Sequence, residues 1–546
     1  YKYIIAQRHG VMAPRRERLS SFLAPLLACL AKIVRWFRRL LLLYPGCAVV
    51  RLPDEGRRDA LLETSAEDAE ELAAQLLFPP SFTFGAATAS YQIEGGIGDT
   101  NWSRWEDLKR RTSDGGETVT DGEKAGIACD SWNRFEDDLR VIREVGLTSY
   151  RFSIEWSRVE PAEGELDEGV VARYVSWCKT LRAEGVEPMI TLHHFTEPGW
   201  FTDKGGWELK SNVQYFARFS EFVVARLAPH CSMWCTLNEP VGFAVCGWLA
   251  GVHPPGKSGQ LMMVIKVVHN LMRGHFAAAA AINAASAVQP QPPSILIANN
   301  VICFEALNKW NPFTRFLAVF LNLVYDFLIH DVLIYGRLPW WPLPFQLIAW
   351  VLDPLFGARA TIRAYKGTVN MIGLNHYFRE YCAFGYSRQV EVYKGGDATT
   401  GTGDMIWYLP FGCTFRAGFD PRFEKSDMGW DMTPSSMLWI LTAFSDRYPG
   451  VPIYITESGL ADSSQPDKKR VRYISGVLRA IRKALDAGID VRGYTIWSLI
   501  DNFEWAEGFR PRFGLAHVDY STQVRTPRSS CNVLRRIISN QRKQLR

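Results

Sequence analysis

Short apolar runs recur along the chain at Phe82–Thr88, Ser149–Ile154, Glu187–His194, Met233–Glu239, Ser294–Asn300, Val369–Tyr377, Pro452–Glu457 and Val491–Leu499. Each is about strand length and rich in β-branched or apolar residues. Between them lie segments with apolar positions at helical spacing, among them Trp132–Val145, Val170–Glu184, Val213–Leu227 and Val471–Ala487. Alternating strand and helix predicts parallel strands joined by right-handed crossovers. Eight such units predict an α/β fold, a closed (β/α)8 TIM barrel with long loops around its C-terminal mouth. A doubly wound open sheet is the competing architecture. The polar residues decide between them. Nearly every run ends in groups able to do chemistry: His193-His194, Asn238-Glu239, Asn299-Asn300, Asn375-His376-Tyr377, Glu457 and Trp497-Ser498. A barrel collects all eight strand ends into one site, whereas an open sheet brings together only those at its switch point.

Two of these runs each finish on a glutamate, Glu239 before Pro240 and Glu457 before Ser458-Gly459. A carboxylate at the mouth of a buried strand must be used, paired or neutralised. Two such groups facing one cavity are the minimum equipment for breaking a glycosidic bond.

The flanks read differently. Residues 1–53 carry ten Lys/Arg against one acid, Glu17. Lys32, Arg35, Arg38 and Arg39 interrupt the apolar stretch 22–50, which argues against a clean membrane span. An Arg-rich, acid-poor arm fits an organellar transit peptide or a membrane-surface anchor. The expected location is therefore intracellular, in a plastid or on a membrane. Residues 54–75 are polar and acidic and read as a linker or short helix. The expected division is residues 1–77 as arm plus linker and 78–546 as a single barrel domain. Pro312–Phe356 is apolar, but Asp326, His330, Asp331 and its prolines favour a buried or rim helix over a span. The sharper reading of that segment is an apolar surface for membrane, lipid or a greasy leaving group. Segments 22–50 and 312–356 are thus the candidates for peripheral membrane contact. Gly385–Asp420 reads as a long, uneven loop over the barrel mouth.

Composition adds limits. The chain has 546 residues, 47% hydrophobic and 22% charged, with a formal charge of +5 that resides in the N-terminal arm. Nothing in the remainder suggests a nucleic-acid partner. Its 11 Cys are an odd number, scattered and without a CxxC pair, which fits reduced, buried thiols. Its 19 Trp are either core or stacking platforms for a ring-shaped ligand. No metal-ligand spacing, phosphate loop or flavin motif is present, so no cofactor is implied.

From Phe82 to Val533 the chain resembles glycoside hydrolase family 1, the β-glucosidase family. The motifs are Phe84-Gly-Ala-Ala-Thr-Ala-Ser-Tyr-Gln-Ile-Glu-Gly95, Tyr150-Arg-Phe-Ser-Ile-Glu-Trp-Ser-Arg158, Thr191-Leu-His-His-Phe-Thr-Glu-Pro198, Thr236-Leu-Asn-Glu-Pro240, Ile372-Gly-Leu-Asn-His-Tyr377, Ile455-Thr-Glu-Ser-Gly459 and Trp497-Ser-Leu-Ile-Asp-Asn-Phe-Glu-Trp505. One such tripeptide is a weak signal; seven motifs in order are a strong one. The resemblance implies Glu457 as nucleophile and Glu239 as acid/base, with Arg151, at the end of the second strand, beside the nucleophile. It implies that Gln92, His194, Asn238 and Glu504 hold sugar hydroxyls, that Trp497 stacks under the ring and that Trp505 touches its edge. Tyr377 would orient Glu457, and Asn375 would support the same network. His193 reads as a core residue. Family members acting on 6-phospho-sugars lack the glutamate at position 504, so its presence favours unphosphorylated glycosides.

Three departures from the family pattern bear on specificity: Phe195 in place of tryptophan, Thr196-Glu197 in place of Asp-Leu, and Ser458 in place of asparagine. The resemblance implies a retaining β-glycosidase, foremost a β-glucosidase, acting on a small β-glycoside or oligosaccharide. The alternative is a membrane-associated member that transfers sugars between galactolipids, against which stands the glucosidase-like Ser90-Tyr91-Gln92. A sugar-binding pseudoenzyme is disfavoured because both glutamates are present.

Overall fold

The computed structural model describes residues 62, 64–108, 117–338, 362–386, 405–408, 413–418 and 423–544. Eight parallel strands close into a barrel: Thr83–Ala87, Ser149–Ser153, Glu187–His193, Met233–Asn238, Ser294–Asn300, Ile372–Asn375, Ile453–Glu457 and Val491–Trp497. Sequence neighbours pair around the ring, and the last strand closes on the first with Thr83 opposite Gly493 and Ala87 opposite Trp497. The strands are buried nearly throughout, as the unbroken apolar runs require when helices cover the outside and side chains fill the inside. The closed ring settles the choice of architecture against the open sheet.

Helices follow the strands at the expected places. Phe135–Val145 ends on Gly146, whose φ of +80° makes the left-handed cap that stops the helix. Glu168–Ala183 starts at Asp167, whose side chain accepts from the Val170 N–H at 3.0 Å. Val213–Leu227 and Lys468–Asp486 complete the four predicted segments. The longest helix among the described residues, Leu261–Ala285, has no sharp apolar stripe because its C-terminal half is a run of small alanines.

Ahead of the first strand, Ala66–Ala74 forms a helix capped by Ser65. Ala66, Ala69 and Ala73 are buried. Its carboxylates pair with the barrel's final helices, Glu67 with Lys468 and Glu70 and Glu71 with Arg536.

The segment read as a loop from Gly385 to Asp420 is not unstructured. Its described parts are strands of a four-stranded sheet made by Phe304–Ala306, Glu380–Tyr386, Met405–Tyr408 and Cys413–Gly418. Backbone pairing with Phe304–Ala306 and Glu380–Tyr386, which follow barrel strands, supplies the order that local composition hides.

Pro312–Tyr335 is continuous helix, with a mean hydropathy of 1.8 over its most apolar window, 61% of which is buried. Asp331 pairs there with Arg447 and accepts from Tyr448, and Asp326 accepts the Ile302 N–H at 3.1 Å. Through these contacts the described helix packs against the barrel domain, while Asp326 Oδ2 and His330 Nε2 are buried without a partner among the described residues. Of the candidate membrane contacts, 22–50 and the 339–356 part of 312–356 lie outside the described residues, as does the arm 1–53.

Candidate active site

Glu457 ends the seventh barrel strand and Glu239 follows the fourth directly. The backbone at Glu239 is left-handed, φ +45° and ψ +54°, a conformation costly for a residue with a Cβ and found where function fixes a side chain. Pro240 then opens a short helix, so the chain leaves the strand and turns within one residue.

The two carboxylates sit in different surroundings. Glu457 Oε1 accepts from Arg151, and Oε2 accepts from the Tyr377 hydroxyl at 2.7 Å. Arg151 lies in the middle of the second strand rather than at its end. It also donates to Asn238 Oδ1 at 2.8 Å and to Thr191 Oγ1 at 3.0 Å. Burial works against its charge, but Cys235 and Glu457 beside it outweigh burial and raise its pKa. Among the described residues the hydrogen-bond partners of Glu239 are neutral: Asn375 Nδ2 donates to Oε1 at 2.8 Å and Asn300 Nδ2 to Oε2 at 3.2 Å. Burial, with Glu457 adding to it, pushes the Glu239 carboxyl up to about 7.

Asn375 couples the two halves. Its amide also donates to Asn238 Oδ1 at 3.1 Å, and its carbonyl oxygen accepts from Thr456 Oγ1 at 2.7 Å, one residue before Glu457. The sequence did not assign roles to Asn300, Thr456 or Thr191. Asn300 was legible as a polar strand end, while the two threonines carry no signal apart from their place beside named motifs.

The other predicted residues converge on the same mouth. Trp497 ends the eighth strand, and its indole N–H donates to Glu504 Oε2 at 3.3 Å. Gln92 Nε2 donates to the Phe503 carbonyl at 2.8 Å and to Glu504 Oε2 at 3.5 Å. Asn238 Nδ2 meets His194 Nε2 at 3.2 Å. Gln92 Oε1 and His194 Nδ1 are buried and unpartnered among the described residues, a costly arrangement unless a ligand's hydroxyls complete it. Burial, with Arg151 contributing, holds the His194 pKa well below its usual value, so the ring is neutral. Burial lifts Glu504 to about 8, with Glu457 and Glu507 adding. Trp505 packs between Trp102, at 4.7 Å between centroids, and Tyr91, at 6.1 Å. His193 is enclosed edge-on by Trp207, Phe216 and Phe243, a core position as expected.

The departures are built in as well. Phe195 takes a left-handed φ of +70°, and its carbonyl accepts from Asn101 Nδ2 at 3.0 Å. Thr196 donates to Glu155 at 2.9 Å. Ser458 Oγ meets the Tyr473 hydroxyl at 3.3 Å, which in turn donates to the Tyr377 carbonyl at 2.7 Å.

The profile of glycosyl hydrolase family 1 matches residues 74–543. The chain belongs to glycosyl hydrolase family 1. It is an O-glycosyl hydrolase of the β-glycosidase type. β-Glucosidase A of Acetivibrio thermocellus is 30% identical over 487 residues, 86% of this chain and 99% of that protein. β-Glucosidase 6 of Oryza sativa subsp. japonica is 30% identical over 502 residues, 83% of this chain and 89% of that protein. Among solved family 1 structures, the Thermotoga maritima β-glucosidase in complex with deoxynojirimycin superposes with a TM-score of 0.73 at 27% identity, covering 85% of this chain and 99% of that one.

Proposed function

We propose that this enzyme is a retaining β-glucosidase acting on terminal, unphosphorylated β-D-glycosides. The observation that carries the reading is the asymmetry of the two glutamates. A nucleophile must stay ionised, and Glu457 holds a buried guanidinium and a phenol. A proton donor must keep its proton near neutrality, and a Glu239 carboxyl pushed up to about 7 and bonded, among the described residues, to the neutral Asn375 and Asn300 supports that role.

In the first step Glu457 attacks the anomeric carbon while Glu239 gives its proton to the departing oxygen, leaving a glycosyl ester on Glu457. In the second step Glu239, now a carboxylate, takes a proton from water as the water attacks the same carbon. This frees the sugar with its β configuration and restores both groups. Gln92, His194, Asn238 and Glu504 hold the sugar hydroxyls. Trp497 stacks beneath the ring, Trp505 closes its edge, and Asn375 keeps Glu239 in register with the strand of Glu457.

Glucose as the preferred sugar is supported by the names of the relatives; the Bifidobacterium breve relative, 29% identical, is described as a bifunctional β-D-glucosidase/β-D-fucosidase. Glu504 disfavours a phosphate most strongly above pH 8, where it is mainly ionised. A panel of aryl β-glycosides bearing glucose, galactose, fucose or mannose tests the sugar, and NMR of the first-formed anomer tests the mechanism. Fastest release from the glucoside with the β anomer appearing first is expected; an α anomer appearing first sinks the retaining reading.

A further inference from the structure

Two π-helical turns flank Glu239. Val245–Ala250 follows it closely in sequence, and Asn322–Phe327 arrives from the apolar helix. Such turns push one side chain out of helical register and gather at functional sites. The second carries Tyr325. Its ring packs edge-on against Phe304 at 6.0 Å, and its carbonyl accepts from Asn299 Nδ2 at 3.4 Å, tying the turn to the fifth barrel strand. Its hydroxyl has no hydrogen-bond partner among the described residues.

Gly242 sets the spacing. A Cβ placed there would lie 3.3 Å from Glu239 Oε2 and 3.8 Å from the Tyr325 hydroxyl oxygen. Both oxygens therefore border the side of Gly242 where a Cβ would sit, and only glycine lets the backbone run this close to them. Burial, with Glu239 second, holds the Tyr325 phenol far above its usual pKa, so it stays a neutral O–H.

The two edges of the Glu239 carboxyl are not equivalent. Oε1 is tied through Asn375 to Thr456, the neighbour of Glu457. Oε2 faces Asn300 and, across Gly242, Tyr325. A proton donor contacts the bridging oxygen, and the leaving group departs on the side opposite the nucleophile.

We propose that Tyr325 is a specificity-determining residue that hydrogen-bonds a leaving-group hydroxyl adjacent to the glycosidic oxygen. The favoured leaving group is a sugar or polyol rather than a plain alkyl or aryl group. The inference rests on Glu239 as proton donor. A phenol both donates and accepts, so either orientation of a neighbouring hydroxyl is met. A site built to bond a hydroxyl discriminates against the analogue that lacks it.

Tyr325→Phe keeps the ring against Phe304 and removes only the hydroxyl. The matched substrates are 2-hydroxypropyl and propyl β-D-glucoside, and the readout is the ratio of their kcat/KM values, which does not depend on the fraction of enzyme folded. The wild type should favour the hydroxypropyl glucoside, and the variant's ratio should fall about tenfold, the loss of one hydrogen bond. Equal ratios in wild type and variant overturn the inference. Two controls separate that failure from a failure of the underlying reading: wild-type turnover of 4-nitrophenyl β-D-glucoside, and Glu239→Ala on the propyl glucoside. No wild-type turnover, or full activity in Glu239→Ala, sinks both; the expected controls with an unchanged ratio sink the role of Tyr325 alone.

Discussion

Arg151 and Glu457 form an ion pair with both side chains almost entirely out of solvent, 1% and 5% exposed. Removing the cation leaves a buried carboxylate uncompensated, which costs roughly 3–5 kcal/mol. Arg151→Met should lower the urea midpoint accordingly and reduce kcat on the order of 100-fold or more, since Glu457, the proposed nucleophile, loses its charge partner. Arg151→Met at wild-type stability and rate would contradict this account.

Tyr377 contributes to the same carboxylate as a neutral donor. A hydrogen bond to a charged group is worth about 1.5–3 kcal/mol, so Tyr377→Phe should lower kcat by about 10- to 100-fold. The ring still packs against Trp430 and Phe513, so the loss of stability should be no larger than that of the one bond to Glu457. Steady-state kinetics beside a melting curve separates the two effects.

As the proposed proton donor, Glu239 should set the alkaline limit. Burial pushes its carboxyl up to about 7, and a proton donor must carry its proton into the first step. The kcat/KM profile should therefore fall above about pH 7. Stability follows from the same shift. The unfolded chain ionises this group near 4.5 while the folded one holds its proton to about 7, so the unfolded state binds fewer protons between these values and stability declines as pH rises through them. Glu239→Gln should be inactive on alkyl glucosides yet melt higher than wild type at pH 8, as calorimetry would show.

The helix Ala66–Ala74 belongs energetically with the barrel. Besides its ion pairs, its Ala74 carbonyl accepts from Asn540 Nδ2 at 2.8 Å. A chain starting at Ser65, which keeps this helix and its cap, is the reference. One starting at Phe78 should lose on the order of 2–3 kcal/mol from re-exposed apolar surface. Denaturant curves of the two truncations measure the difference.

Much of this was legible in the sequence, for identifiable reasons. A strand buried on both faces must be an apolar run, so all eight barrel strands stand out, and the polar residue that ends each run marks the mouth. The strand around Ile372 was over-extended at both ends, because Val369 and Tyr377 continue the apolar pattern beyond the hydrogen-bonded core Ile372–Asn375. The small sheet was missed because its strands earn their order from partners distant in sequence, such as Phe304 opposite Glu380. The glutamates followed from position and residue type. The proposed sugar-holding set followed only from family motifs, since nothing local distinguishes Gln92 from a surface glutamine. The left-handed backbone at Glu239 had no signal, because non-glycine residues reach that region only under tertiary constraint.

Gln92 and Glu504 touch across 412 residues of sequence, and they meet only because the last strand pairs with the first. Contacts that distant form late, after the entropy of closing a very long loop has been overcome. Ring closure should therefore come late in folding, and a barrel not yet closed lacks the contact between Gln92 and Glu504, two of the proposed sugar-holding residues. During refolding, return of activity should trail return of helical signal, making turnover a clock for ring closure.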